Sequence, residues 1–207
     1  MGAIAAPLVI FGIISALVGL SLVAHRGSGN LPVLKDGDVI WTRYASEYQR
    51  GQFIMFYTNR LMSDGSRARY IKRLIGLPGD QISMSKGRIT LNGRLLEEEH
   101  TIPYWKKNQS FDDCSYLANS DFWFFQPENP LRPESPCGAS IQKNYKPKPL
   151  TLGKNEYFVI GDNRSPGGSE DSRAFGAIKR DDIIGIVWFR GFPPKKLEIP
   201  EEFSLIK

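Results

Sequence analysis

The sequence predicts a mainly β protein: an antiparallel β-sheet domain with an inserted loop-rich lobe, preceded by one N-terminal transmembrane helix. A charge-free apolar run opens the chain, and from residue 38 short β-branched and aromatic runs alternate with turn residues. The composition then shifts towards Pro, Asn, Ser and aromatic residues between about 97 and 152. We therefore divide the chain into an anchor (1–25), a β domain (26–96 and 153–192), the inserted lobe (97–152) and a C-terminal tail (193–207).

Residues 3–24 carry no charged side chain. A helix of that length, rising about 1.5 Å per residue, spans a hydrocarbon core of roughly 30 Å. A cleaved signal peptide is the alternative, but no lysine or arginine precedes the run and no small-x-small site closes it. We therefore predict a retained anchor in a lipid bilayer. His25 and Arg26 follow it, and by themselves these basic residues favour a cytoplasmic position for the domain.

Strands are predicted at 39–44 and 53–58, and we expect these two to pair with each other. Residues 81–84 and 88–91 form a meander that continues through Asn92-Gly93, which is a strong hairpin signal. Further strands are expected at 70–75, 156–160 and 183–189, with one short helical turn within 169–181.

The charges exclude some functions. The chain has 27 Lys and Arg against 22 Asp and Glu, but they are dispersed, without a basic helix or a stacking platform, so we predict no nucleic-acid partner. The basic excess suits anionic lipid head groups or ordinary solubility equally well. With two histidines and no Cys-x-x-Cys, we expect no metal and no cofactor.

Cys114 and Cys137 can pair in an oxidising compartment.

Lys72 interrupts an apolar, strand-like run. Strand alternation places it on the same side as Tyr70 and Leu74, where burial would lower the pKa of its amine. A lysine that is neutral near pH 7 can accept a proton from a hydroxyl group, as serine/lysine hydrolases require. The alternative is an edge strand whose lysine extends into solvent.

Two longer motifs support the interpretation of Lys72 as a buried general base. Residues 70–80 read YIKRLIGLPGD, and residues 161–176 contain GDNR, then SEDSR, then a glycine. Both resemble motifs of type I signal peptidases, as do KDGD at 35–38 and RGQF at 50–53. The resemblance extends from the apolar run to about Trp188.

The resemblance implies a membrane-bound serine endopeptidase that removes signal peptides from exported pre-proteins with small residues at the cleavage site. The large domain would lie on the outer, periplasmic side of the inner membrane, behind one transmembrane segment. Lys72 would be the general base and Ser169 would orient it. Asp162, Asp171 and Arg173 would hold the surrounding loop in place.

The nucleophile is the point of departure from the family. Family members carry a pattern resembling S-x-S-M-x-P-T-L, and alignment on Pro32 and Leu34 puts Gly29 at the nucleophile position. Ser28 stands one residue earlier. In one alternative the loop is displaced by one residue, so that Ser28 is the nucleophile and backbone amides at Gly29 line an oxyanion hole. In the other alternative the nucleophile is absent. In the second case the protein would bind pre-proteins or pilin-like subunits as an assembly factor. Dedicated processing of one pilin or conjugation substrate is a further possibility.

Overall fold

The computed structural model describes residues 20–85, 88–98, 100–101, 149–164 and 168–203, and two antiparallel sheets form within these ranges. The strands of the larger sheet are β1 (Ser21–Ala24), β2 (Val39–Arg43), β3 (Phe53–Leu61), β4 (Arg67–Gly76), β9 (Glu156–Ile160), β10 (Ile178–Lys179), β11 (Ile183–Arg190) and β12 (Lys195–Lys196). Their order in the sheet is β1-β2-β11-β3-β4-β9-β10, with β12 paired to β11. A short helix, α1 (Ser172–Phe175), follows β9. The prediction of a mainly β, antiparallel fold is therefore confirmed.

The smaller sheet has the order β7-β6-β5-β8, formed by β5 (Gln81–Ser85), β6 (Arg88–Leu91), β7 (Arg94–Leu95) and β8 (Leu150–Thr151). Its meander turns at Asn92-Gly93, as predicted, and both residues have positive φ values, 52° and 78°, as a tight hairpin turn requires. Ile82, Ile89 and Leu91 are fully buried in one core cluster with Ile75 and Phe158 of the larger sheet. This shared cluster holds the two sheets together.

The predicted pairing of 39–44 with 53–58 is wrong, because β11 lies between β2 and β3 and pairs with both. The sequence shows strand character along each run but does not show which distant strand separates them. Gly185 makes the close approach possible: a Cβ at that position would collide with the carbonyl oxygen of Arg43.

The C-terminal end of the predicted anchor also differs from expectation. Ser21–Ala24 forms β1, which pairs with Val39–Thr42 of β2 instead of continuing a helix. An anchor that reaches residue 25 is therefore wrong at its last turn. The rest of that prediction, residues 1–19, lies outside the described residues. In the part of the chain that is described, no helix is long and apolar enough to cross a membrane.

Most of the predicted inserted lobe, including Cys114 and Cys137, also lies outside the described residues, so the pairing of the cysteines and the bounds of the lobe stay predictions. The segment after residue 193 packs against the β domain. Lys195–Lys196 pairs with Phe189 and Arg190, and Phe203 is 4% exposed within the cluster that joins the two sheets. The C-terminal segment therefore contributes to the core.

This contribution can be measured. Phe203→Ala should lower the free energy of unfolding by about 3 kcal/mol, because it removes a buried aromatic ring and leaves a cavity. Phe192→Ala is the matched control, since Phe192 is 84% exposed and its loss should cost under about 1 kcal/mol. Urea unfolding followed by tryptophan fluorescence compares the two variants. Equal small losses would mean that Phe203 does not pack in the core.

Candidate active site

The Lys72 side chain lies inside the protein. Lys72 is 7% exposed, and its Nζ donates a hydrogen bond of 2.9 Å to Ser169 Oγ. The amine also lies 5.5 Å from the centre of the Tyr70 ring. The strand thus places the lysine among apolar and aromatic groups, with a hydroxyl as its hydrogen-bond partner.

Burial lowers the pKa of Lys72, since the charged amine loses hydration. Asp171 opposes this shift and Arg173 reinforces it. These two residues pair closely, with Arg173 Nε 2.8 Å from Asp171 Oδ1. Burial alone would raise the pKa of Asp171, but Arg173 and the Gly161 N–H hold it down at about 2. The carboxylate is therefore ionised, and the guanidinium beside it limits its effect on Lys72.

Further buried ion pairs surround the lysine. Arg73, adjacent to Lys72 on β4, donates from Nε to Asp162 Oδ1 at 2.7 Å, and the side chains of this pair are 2% and 0% exposed. Arg164 donates from a terminal nitrogen to Glu98 at 2.8 Å. Asp162 belongs to the GDNR segment, and Glu98 contacts Arg164 of the same segment. These pairs tie β4, the residue 98 region and the loop after β9 together.

Three hydrogen bonds position the loop that carries Ser28 and Gly29. The Asn163 backbone N–H donates to the Gly29 carbonyl at 3.1 Å, and its side-chain amide donates to the Ser28 carbonyl at 3.2 Å. On the other side, the Asn30 amide donates to the Ile71 carbonyl at 2.7 Å. The loop is thus held between the GDNR segment and β4.

In this position Gly29, not Ser28, faces the amine. A Cβ built on Gly29 would lie 2.7 Å from Lys72 Nζ and 3.4 Å from Ser169 Oγ. Ser28 is exposed and lines the same cleft. Within the described residues, Lys72 is bonded to Ser169 and no hydrogen bond joins it to the Ser28 hydroxyl. In the observed register, Ser28 is not aligned for proton transfer to Lys72.

A cleft of about 680 Å³ opens beside these groups, between the 23–30 segment and residues 62–72. Among the described strands, β1 is an edge strand that pairs with β2 alone. β4 pairs with β9 from Arg73 onward, and in the described part of the chain no strand covers the β9-facing edge of residues 67–71. An extended peptide can therefore be accommodated between two open strand edges.

The described residues contain no cluster of His, Cys, Asp or Glu side chains arranged to hold a metal ion. The site has instead the elements of acid–base chemistry: a buried amine, a hydroxyl that orients it and a peptide-sized cleft. These features define a mainly β protein with a lysine-centred site at a sheet edge.

Comparison with known proteins identifies the family. Residues 1–192 match the model of the family described as "Signal peptidase, peptidase S26", and the chain belongs to this family. It is 30% identical to signal peptidase IB of Staphylococcus aureus over 172 residues, covering 81% of this chain and 75% of that protein. It is also 30% identical to signal peptidase I T of Bacillus subtilis, covering 81% and 72%. A crystal structure of a signal peptidase I from Enterococcus faecalis aligns with a TM-score of 0.38 and 27% identity, over 69% of this chain and 97% of that one.

Some residues that shape the site were not identified from sequence. Glu98 stands in a run of three glutamates, and no local signal separates the one that is buried with Arg164. Asn30 stands where the family pattern has its methionine, and its amide anchors the loop to β4. The substitution of a polar for an apolar residue was the available signal.

The lowered pKa of Lys72 makes a prediction about stability. Between that pKa and the ordinary value of 10.5, the unfolded chain binds more protons than the folded chain, so the parent gains stability as pH rises through this interval. Lys72→Met cannot show this gain. The difference in unfolding free energy, parent minus variant, should rise with pH above the folded-state pKa of Lys72 and reach a plateau above about pH 10.5. Urea midpoints across this range test the prediction, and a difference that does not vary with pH would contradict it.

A second prediction concerns the buried ion pairs. Asp162→Ala leaves Arg73 charged and buried, and should cost about 3–5 kcal/mol of unfolding free energy. Lys179→Ala breaks an exposed pair with Glu156, in which the lysine is 63% exposed, and should cost under about 1 kcal/mol. Thermal and urea unfolding of both variants measures the contrast. Similar costs for the two changes would refute the structural role of the Arg73–Asp162 pair.

Proposed function

We propose that this chain is a membrane-bound serine endopeptidase that removes signal peptides from exported pre-proteins, with Lys72 as general base. The observation that carries the proposal is the buried Lys72 amine, held by Ser169 at 2.9 Å beside a loop with a serine. Membership of the signal peptidase family supports the substrate class. The mechanism requires no cofactor.

Substrate binding follows from the open strand edges. The residues before the cleavage site would extend between β1 and residues 67–71 of β4. They would pair with the backbone groups there that are not already hydrogen-bonded, since the Ile71 carbonyl accepts from Asn30. Alternate side chains would then face the floor of the cleft. The family resemblance implies that small residues occupy these positions at the junction.

In the chemical step, Lys72 Nζ takes the proton from the Ser28 hydroxyl as Oγ attacks the scissile carbonyl carbon. The carbonyl π electrons move to the oxygen, which backbone amides near Gly29 stabilise. Collapse of this intermediate breaks the C–N bond, and the protonated Lys72 returns its proton to the leaving amine. Water then hydrolyses the acyl-enzyme by the same route. Ser169 keeps the amine directed at the nucleophile throughout.

For this step the Ser28–Gly29 loop must shift by one residue along the chain, because Gly29 faces the Lys72 amine in the structure. Neighbouring residues of an extended chain lie more than 3 Å apart and point in opposite directions. Gly27 already has a φ of 92°, and two glycines around Ser28 give this segment the backbone freedom for such a change. Binding of a peptide along β1 would supply the free energy that shifts the loop.

The orientation of Gly29 favours a second candidate function. If the observed register persists when a peptide binds, the protein holds pre-proteins or pilin-like subunits in the cleft without cleaving them, as an assembly factor. The base, its orienting serine and the cleft are then retained without a nucleophile. General secretion and a dedicated pilin or conjugation substrate fit this cleft equally well.

We place the site at the outer, periplasmic surface of the inner membrane. β1 begins at Ser21, and Val23, Ala24 and Ser28 line the cleft, so the apolar run of the sequence leads directly into the site. The cleft would therefore stay near the bilayer surface, where signal-peptide junctions emerge.

Cleavage of a pre-protein with an alanine-rich junction, in detergent, tests the enzyme. We expect the parent chain to cleave, and Ser28→Ala and Lys72→Ala to lower kcat at least about a thousandfold. Ser46→Ala and Lys179→Ala, at exposed positions, should retain parental kcat. Retained cleavage by Ser28→Ala would refute Ser28 as the nucleophile.

Gly29→Ser separates the two candidate functions. An inactive parent that binds the pre-protein, together with an active Gly29→Ser variant, would refute cleavage by Ser28 and support the binding function. An active parent that loses activity in Gly29→Ser, through crowding at Lys72, would support the shifted loop.

A further inference from the structure

The floor of the cleft combines an apolar surface with one histidine. Met55 and Ile71 are buried in a cluster against which Val23 packs, and all three line the cleft together with His25. His25 is the first residue after β1, and it is 6% exposed. Any side chain that a bound peptide directs at this floor meets these groups.

The position of His25 is set by its backbone. Its N–H donates to the Asp38 carbonyl at 2.8 Å and its carbonyl accepts from the Gly37 N–H at 3.0 Å. These two bonds fix the backbone at His25, and the side chain that it carries is buried. Within the described residues, its Nε2 is buried and has no hydrogen-bond partner.

Asn30 presents a second such atom in the same cleft. Its Nδ2 is used in the bond to the Ile71 carbonyl, whereas its Oδ1 is buried and has no partner in the described part of the chain. Unpaired buried polar atoms cost folding free energy and are rare in folded proteins. Both atoms belong to residues that line one cleft, so a polar group that enters the floor of this cleft would supply the partner that each of them lacks.

We propose that His25 and Asn30 form a polar subsite that binds a small hydroxyl side chain, serine or threonine, of the peptide that lies in the cleft. This inference rests on the proposed function, since it concerns the same substrate, and at one position it narrows the preference for small residues that the family resemblance implies.

The chemistry of the two atoms selects a hydroxyl group. Burial and Lys72 lower the pKa of His25, against smaller opposite effects of Asp38 and Asp36, so the imidazole is neutral and offers one donor and one acceptor. Asn30 Oδ1 only accepts. A hydroxyl can donate to Oδ1 and also pair with the imidazole, whereas a carboxylate can only accept and would be repelled by Oδ1.

The test measures peptide binding, so that it does not depend on turnover. Fluorescence anisotropy with the full chain in detergent compares labelled signal-junction peptides that carry Ala, Ser, Val or Thr at each of the last three positions before the junction. Val and Thr are nearly equal in shape, so their comparison isolates the hydroxyl. At one position, we expect Thr to bind about fivefold more tightly than Val, and Ser about fivefold more tightly than Ala.

Two variants assign the preference to His25. His25→Leu should abolish the Thr-over-Val ratio, whereas His25→Gln, which keeps a donor and an acceptor, should retain part of it. A purely structural role would weaken all four peptides equally. Equal binding of Thr and Val by the parent overturns the proposal even if His25→Leu fails to fold.

The outcomes also separate this inference from the proposed function. Binding without a hydroxyl preference overturns the polar subsite alone. A hydroxyl preference in a chain that does not cleave supports the subsite and refutes the peptidase. Failure of every peptide to bind overturns both.

Discussion

The burial of one lysine amine is the constraint on which the rest of this structure depends. A charged amine inside a protein loses hydration, so burial lowers the pKa of Lys72 and shifts it towards its neutral form. The neutral amine still needs hydrogen-bond partners, and Ser169 supplies one at 2.9 Å without adding charge. A carboxylate in that place would restore the charge on the lysine. The site therefore needs a hydroxyl next to the amine and ionised groups kept in pairs.

The surrounding ion pairs follow from this requirement. Asp171 is close enough to raise the pKa of Lys72, and the adjacent Arg173 counters that effect. Arg73 follows Lys72 on the strand and is buried against Asp162. Since a broken buried pair leaves an uncompensated charge, these pairs resist rearrangement. They give the amine rigid surroundings, and the same segment, through Asn163, holds the Ser28–Gly29 loop against it.

Local features of the sequence predicted the strands well and their long-range order poorly. Alternation located β5, β6 and β9, and the Asn92-Gly93 turn followed from its backbone requirement. The neighbours of β2 and β3 depend on β11, more than 120 residues further along the chain, and no local pattern encodes that choice. Apolar content also suggested a helix up to residue 25, whereas pairing with β2 makes Ser21–Ala24 a strand. Tertiary pairing here prevailed over local composition.

In the candidate site, too, local sequence features predicted some residues, whereas others depend on the folded chain. The motifs drew attention to Lys72 and Ser169, because a lysine in an apolar strand is unusual whatever surrounds it. His25 carries no such signal, since a histidine after an apolar run is an ordinary flanking residue, and Asn30 differs only in being polar where the family pattern has a methionine. Their significance depends on depth in the cleft and on which of their atoms are already bonded, and both are properties of the folded chain.

Gly29 shows how the sequence alignment and the fold together describe one position. Sequence alignment alone marks it as a missing side chain, but the fold shows what that side chain would meet, because its Cβ direction leads to Lys72 and Ser169. The neighbouring carbonyls of Ser28 and Gly29 are both bonded to Asn163. A shift that brings Ser28 to the amine must break or exchange these two bonds, at a net cost of about 1 kcal/mol each. Strand pairing by a bound peptide supplies several hydrogen bonds of the same kind, so substrate binding is of the right magnitude to drive the shift.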